Sequence, residues 1–170
     1  MVFAYRFAGQ QHARAPSIDP TPMGSGKGLA GLDGAGESAA ILRKAGSLGK
    51  VREAALRARF GEQMTKCPCC PNSMPIDEWL GVLTLLTTEV AMVAAPKCHP
   101  RLAMALVMRH FLPKGGKATF ETIAKNHSSS VDQARRHSQK IVEALKKVEA
   151  EAHDEMSTML ICAGLLPNCC

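Results

Sequence analysis

Aromatic residues are scarce in this chain of 170 residues, which contains one Trp, one Tyr and five Phe. β-Sheets draw heavily on aromatic and β-branched side chains, so this scarcity argues against a core built on sheets. The core must instead come from Ala, Leu, Val, Ile and Met, which suit closely packed helices. The composition therefore predicts an all-α protein.

Long hydrophobic runs are also missing. The longest apolar region, residues 79–95, is interrupted by Thr84, Thr87, Thr88 and Glu89, whereas a membrane span needs about 18 apolar residues in a row. The first ten residues have no secretory cleavage pattern. We therefore expect no membrane association and a reducing cytoplasm, where clustered cysteines are metal ligands or idle thiols more often than disulfides.

Catalytic and cofactor motifs are absent as well. The stretch GSGKG at residues 24–28 resembles a phosphate loop, but Thr21 stands where the first Gly is needed and Gly28 where Ser or Thr is needed. No paired carboxylates occur in a recognisable motif, and nothing in the sequence positions a base beside a cysteine. We do not expect an enzyme.

The chain divides into three predicted regions. Residues 1–36 are rich in Gly, Pro and Ser, which predicts disorder. Residues 37–112 form a helical region around a cysteine-rich knuckle, and residues 113–166 end in a long helix. The apolar periodicity and the caps predict helices over residues 37–60 (broken near Gly46 and Gly49), 77–95, 100–111, 120–127 and from 131 to about 156.

Charge is distributed unevenly within the formal net charge of +6. Residues 97–147 carry eleven Lys and Arg against three acidic residues, whereas residues 148–170 carry four acidic residues and no Lys or Arg. This asymmetry indicates a polyanion-binding surface, with a solvated basic face as the alternative. A solvated face is also the expected role of the arginines at positions 52, 57 and 59.

The stretch ETIAKNHSSSVDQARRHSQKI, residues 121–141, has the layout of a helix-turn-helix. Ile123 and Ala124 supply the apolar and small residues of a first helix, and Ala134 and Ile141 the buried side of the second. Ser130 and Gln133 have the spacing of a capping box. The second helix of such a unit enters the major groove. The predicted DNA contacts are Ser130, Val131, Asp132, Arg135, Arg136 and Gln139, with Lys125 and Lys140 on phosphates.

This interpretation has an alternative, a helical hairpin without a DNA role. The turn position usually occupied by Gly is Ser128, and the next position, usually apolar, is Ser129. A helical protein-interaction module would carry the same periodicity.

Cysteines cluster at Cys67, Cys69 and Cys70 in a proline-rich stretch, with Cys98 and His99 one predicted helix further on. Zn²⁺ takes four thiolate or imidazole ligands, commonly from two chain segments. We therefore expect either a zinc site formed by Cys67, Cys70, Cys98 and one of Cys69 or His99, or a loop of unligated thiols. The prolines at positions 68, 71 and 75 predict an irregular knuckle, and Cys162 is expected in the core.

The order of these features resembles phage and prophage DNA-binding proteins, which are themselves similar to Q-type late-gene antiterminators. The resemblance spans residues 31–166. It rests on the cysteine cluster followed by helices and on IAKNH leading into a long basic helix. It implies a C-terminal unit like sigma region 4, double-stranded DNA and RNA polymerase as partners, and a place at the nucleoid in the bacterial host cytoplasm. It also implies DNA contacts from Ser130, Val131, Arg135, Arg136 and Lys140.

Overall fold

The computed structural model describes residues 32–67, 69–70 and 73–165. It is mostly helical, so the predicted all-α class is confirmed. The predicted disorder of residues 1–31 lies outside the described residues. Residues 32–36, which the sequence assigned to the same disordered segment, instead open the first helix.

Six helices and one small hairpin follow each other along the described chain. They are α1 (Leu32–Ser47), α2 (Lys50–Phe60), β1 (Met64–Lys66), β2 (Ser73–Pro75), α3 (Asp77–Leu86), α4 (Pro100–Phe111), α5 (Phe120–Asn126) and α6 (Val131–Cys162). A π-helical turn, Thr87–Ala91, and a last α-helical turn, Met92–Ala94, continue α3. A short 3₁₀ turn, Lys114–Gly116, precedes α5.

The break between α1 and α2 lies where the two glycines predicted it. Gly49 has φ 85°, a backbone conformation that Gly adopts at little cost because it has no Cβ. The prediction of a wholly irregular knuckle is wrong at its edges, because β1 and β2 pair antiparallel with Met64 opposite Pro75. Proline is tolerated there because both strands of a two-stranded sheet are edge strands.

The long helix α6 organises the core. Its 32 residues extend about 48 Å at 1.5 Å per residue. Its first half packs on α4 and α5, and its second half packs on α1 and α2. The two predicted helical regions therefore share one body. The single Trp79 is 2% exposed in the main core, and its Nε1–H donates a hydrogen bond of 3.1 Å to the Ala58 carbonyl.

Candidate functional site

The joint between α5 and α6 is a tight turn. Ser128 has φ 51° and is the one non-glycine residue with positive φ among those described. The Ser129 N–H donates to the Ala124 carbonyl over 3.0 Å, and the Ser128 N–H to the Lys125 carbonyl over 3.5 Å. These two bonds form a Schellman-type helix end, whose left-handed residue is usually Gly. Ser128 therefore occupies the glycine position.

Ser130 begins α6 as its N-cap. Its Oγ accepts a 3.1 Å hydrogen bond from the Gln133 N–H, which is the serine half of the predicted capping box. The Gln133 side chain does not complete the box, because its Oε1 accepts from Ser129 Oγ over 3.3 Å. The turn and the cap together fix where α5 ends and α6 begins.

The apolar residues predicted to hold α5 against α6 are buried. Ile123 is 4% exposed and Ala124 2%, while Ala134 and Ile141 are 0% exposed. The small side chain of Ala134 allows α5 to approach α6 closely, because a larger residue would fill the space between them.

The predicted contact residues lie mostly on the opposite, solvent side of α6. Arg136, Gln139 and Lys140 line one shallow depression on this face. Val131 differs from the prediction, because it is half-buried and packs against the core. The other predicted contacts are exposed: Lys125, Ser130, Asp132 and Arg135.

Arg135 and Arg136 differ in their surroundings. Arg135 Nη2 lies 3.4 Å from Glu121 Oε1, and its guanidinium lies 5.9 Å from the centre of the Phe120 ring. Both partners of this ion pair are more than half exposed, so the pair is weak and readily exchanged. Arg136 has no ion pair with any described residue.

Three of the four acidic residues in the second half of α6 form ion pairs with arginines of α2. Arg52 Nη1 lies 2.9 Å from Glu155 Oε2, and Arg59 Nη2 lies 2.9 Å from Glu149 Oε2. Arg59 therefore departs from the solvated face expected of α2, whereas Arg52, whose side chain is 42% exposed, remains on it. In contrast, among the eleven Lys and Arg of residues 97–147, only Arg135 lies within 4.0 Å of a described carboxylate.

Glu149 joins α2, α4 and α6. Its carboxylate accepts from the Arg59 guanidinium and contacts His110 Nε2. Burial raises the pKa of Glu149, but hydrogen bonds from His110 and Arg59 and the charge of Arg59 outweigh burial and hold that pKa below its ordinary value of 4.5. The network therefore keeps Glu149 ionised at neutral pH.

Three thiols lie together at the end of the hairpin. The sulfur atoms of Cys67, Cys69 and Cys70 are within 4.8 Å of one another, close enough to hold one metal ion. Cys67 Sγ and Cys69 Sγ are 2.9 Å apart. Hydrogen bonding to Cys69 lowers the pKa of Cys67 to about 7, whereas hydrogen bonding to Cys67 raises the pKa of Cys69. Thiolate, the form that binds metal, is thus favoured at Cys67.

The structure does not bring Cys98 or His99 into this cluster. Cys98 is 3% exposed in the main core, where burial raises its pKa. His99 Nδ1 accepts from the Arg101 N–H over 3.3 Å and caps α4. The prediction that Cys162 is a core residue is wrong, because this thiol is exposed.

A further group of cations was not predicted as a set. Arg109, Lys117 and Lys146 converge with Arg59 on a cleft between α2, α4, α5 and α6. The positions are distant in sequence, and only the packing of the helices brings them together.

Comparison with family models, with curated proteins and with solved structures finds no match to this chain. Among the described helices, none combines the length and the apolar character needed to cross a bilayer.

Proposed function

We propose that this protein is a sequence-specific DNA-binding transcription regulator of the phage and prophage type. The observation that carries the proposal is the first half of α6. Its outward face presents Arg136, Gln139 and Lys140 to solvent, and α5 packs behind it. Among the described residues, the cations around this face lack carboxylate partners apart from the exposed pair of Arg135 with Glu121. A helix presented in this way can lie in the major groove.

Each side chain has a role in this mechanism. Arg136 and Gln139 reach base edges, since Arg forms bidentate bonds to guanine and Gln to adenine. Lys125 and Lys140 neutralise phosphates on either side of the groove. Val131 seats the helix on the core rather than contacting a base.

Ser130, Asp132 and Arg135 complete the contact surface at the front of α6. Asp132 can accept a hydrogen bond from the cytosine amino group. Ser130 Oγ accepts the cap hydrogen bond, which leaves its O–H free to donate to a phosphate oxygen. Arg135 exchanges Glu121 for a phosphate, which costs little because the ion pair is exposed.

The test begins with selection of duplex fragments bound by the wild-type protein. Their affinities are then measured by fluorescence anisotropy across a salt series. Arg136→Ala with Lys140→Ala should weaken binding about tenfold or more, because a lost base contact alone costs about 1–3 kcal/mol. Arg43→Ala with Lys50→Ala removes the same charge from exposed positions outside this face and serves as the matched control.

A second pair separates phosphate from base contacts. Lys125→Ala with Lys140→Ala should flatten the dependence of log affinity on log salt by about 1.8, since each phosphate contact contributes about 0.9. If the Arg136 pair binds as tightly as the wild type, α6 is not the recognition helix. Absence of any duplex binding would favour the competing function, a helical protein-interaction module.

The resemblance to Q-type proteins narrows the proposal to late-gene antitermination with RNA polymerase. The protein should then increase read-through at a terminator placed downstream of a selected binding site. The Arg136→Ala and Lys140→Ala variant should lose this effect. If the protein regulates transcription without increasing read-through, its function is activation or repression of a promoter instead.

We also propose that the three-thiol cluster holds Zn²⁺, which would brace the hairpin. Zinc favours thiolate ligands in tetrahedral geometry. Cys67, Cys69 and Cys70 supply three ligands, so the fourth is water or another group.

Metal analysis of protein purified without added zinc should give one zinc per chain. Cys67→Ser with Cys70→Ser should abolish it, and Cys162→Ser, at an exposed thiol outside the cluster, should not. Metal-free protein would refute this assignment.

A further inference from the structure

The cleft between α2, α4, α5 and α6 combines an apolar floor with a basic rim. Leu106, Phe120 and Val142 form part of its lining, and Arg59, Arg109, Lys117 and Lys146 place four cations around it. A charge beside an apolar wall interacts more strongly than one in bulk water, because the local dielectric constant is lower.

The positive charge of the cleft exceeds its negative charge. Glu149 pairs with Arg59, but Arg109, Lys117 and Lys146 have no carboxylate partner among the described residues. Burial, followed by the charges of Arg109 and Arg59, lowers the pKa of Lys117. The like charges therefore repel each other, and an anion would relieve that repulsion.

Arg109 is held in place before any ligand arrives. Its guanidinium lies 4.4 Å from the centre of the Phe120 ring and donates to the Ala118 carbonyl. A side chain already ordered in this way loses less entropy when it binds a ligand.

Ser138 adds a neutral donor to the cleft. The residue is 8% exposed and lines the cleft from α6. Its hydroxyl makes no hydrogen bond to any described residue. Its Oγ is not among the fully enclosed side-chain atoms that lack a partner in the described residues, so it can be reached from the cleft and is available to a bound group.

We propose that this cleft is a phosphate-binding site, in which Arg109, Lys117 and Lys146 contact the phosphate oxygens and Ser138 donates a hydrogen bond. Guanidinium, ammonium and hydroxyl groups are the donors that phosphate recognition uses, and all three kinds line this cleft. The phosphate has two sources, a free oligophosphate or the backbone of bound DNA. The second source rests on the proposed function, whereas the first does not.

Lysine footprinting tests the site. The full chain is acylated with an amine-reactive reagent at constant ionic strength, and the rate at each lysine is read by mass spectrometry. Inorganic pyrophosphate should slow acylation of Lys117 and Lys146 about fivefold or more, if it occupies at least four-fifths of the sites. Lys97 is exposed and does not line the cleft, so its rate should stay constant. A parallel arm replaces pyrophosphate with selected duplex DNA.

Variants change the affinity in both directions. Because Arg109 also packs on Phe120, the loss variants are Lys146→Met and Ser138→Ala, which should weaken protection of Lys117 about fivefold. Glu149→Gln removes the opposing carboxylate and should tighten pyrophosphate binding, since Arg59 then faces the cleft unpaired.

The outcomes distinguish the two sources and the two proposals. Protection by pyrophosphate establishes the site for free phosphate, and protection by duplex alone assigns the phosphate to DNA. If neither protects Lys117 and Lys146, the phosphate site is refuted. If DNA binding still depends on Arg136 in that case, the proposed function is retained. Protection that is unchanged in both loss variants would also refute the site.

Discussion

Replacing Ser128 with Gly should stabilise the protein. Ser128 stands between α5 and α6 with φ 51°, in the left-handed region, where an L-residue crowds its own backbone. Glycine has no Cβ and adopts this conformation freely. The side chain of Ser128 is exposed and makes no hydrogen bond to a described residue, so the substitution removes no contact.

The magnitude follows from two opposing free energies. Relief of the left-handed conformation is worth about 1–2 kcal/mol, and the greater freedom of Gly in the unfolded chain costs about 0.5–1 kcal/mol. We therefore expect Ser128→Gly to raise the free energy of unfolding by about 0.5–1 kcal/mol. For a chain of this size, that raises Tm by about 1–4 °C.

Ser129→Gly is the matched control at the next position. Ser129 has negative φ, so Gly relieves nothing there. It adds unfolded-state freedom and removes the hydroxyl that donates to Gln133, so this variant should lose about 1 kcal/mol. Urea denaturation followed by Trp79 fluorescence measures both variants, because Trp79 lies in the core.

Opposite signs for the two glycine variants are the expected result. If Ser128→Gly destabilises the protein as much as Ser129→Gly, the left-handed turn is absent and α5 and α6 are not joined in the way described. The proposed presentation of α6 would then lose its geometric basis. If the signs are opposite, Ser128→Gly should leave DNA binding intact, because it stabilises the same turn.

The remaining predictions concern Glu149 and the thiols. Glu149→Gln should lower the free energy of unfolding by about 2 kcal/mol, because charge-assisted hydrogen bonds from Arg59 and His110 are lost. Because the folded-state pKa of Glu149 is lowered, its contribution to the free energy of unfolding is present above pH 4.5 and is lost as pH falls further through the folded-state pKa. The free energies of unfolding of wild type and variant should therefore converge as the pH of the denaturation series is lowered. In metal-free protein at pH 7, iodoacetamide should alkylate Cys67 much faster than Cys98, as mass spectrometry would measure, since the Cys67 pKa is about 7 and Cys98 is buried. A Glu149→Gln variant as stable as the wild type, or a stability difference that stays constant in acid, would contradict the prediction for Glu149. Equal alkylation rates at Cys67 and Cys98 would contradict the prediction for the thiols.

The α5–α6 joint could be predicted from the sequence because its determinants are local. A cap acts over three residues, as the Ser130 and Gln133 contact does, and helix burial follows a period of 3.6 residues. Ala134 and Ile141 were therefore identifiable as buried positions. The left-handed conformation of Ser128 was signalled only by its place in the turn, because serine itself does not favour positive φ.

The cleft and the acidic pairing could not be predicted, because both depend on how distant helices pack. Arg52 and Arg59 are seven residues apart on α2, about 10.5 Å along the helix axis. Glu155 and Glu149 are six residues apart on α6, about 9 Å, and the order of the two pairs is reversed. The matching spacing was present in the sequence. It became informative only once α2 was known to run antiparallel to α6.

This pairing explains why the net charge of the chain understates the field at the start of α6. The acidic residues of the second half of α6 could offset the basic residues of the first half if both faced solvent. Instead Arg52 and Arg59 neutralise Glu155 and Glu149, at distances where a pair largely cancels its own field. The eleven cations of residues 97–147 keep most of their electrostatic field, because only Arg135 among them has a carboxylate partner in the described residues. A single helix thus carries one half whose acidic residues are partly neutralised by α2 and fasten it there, and one basic half that can attract a polyanion.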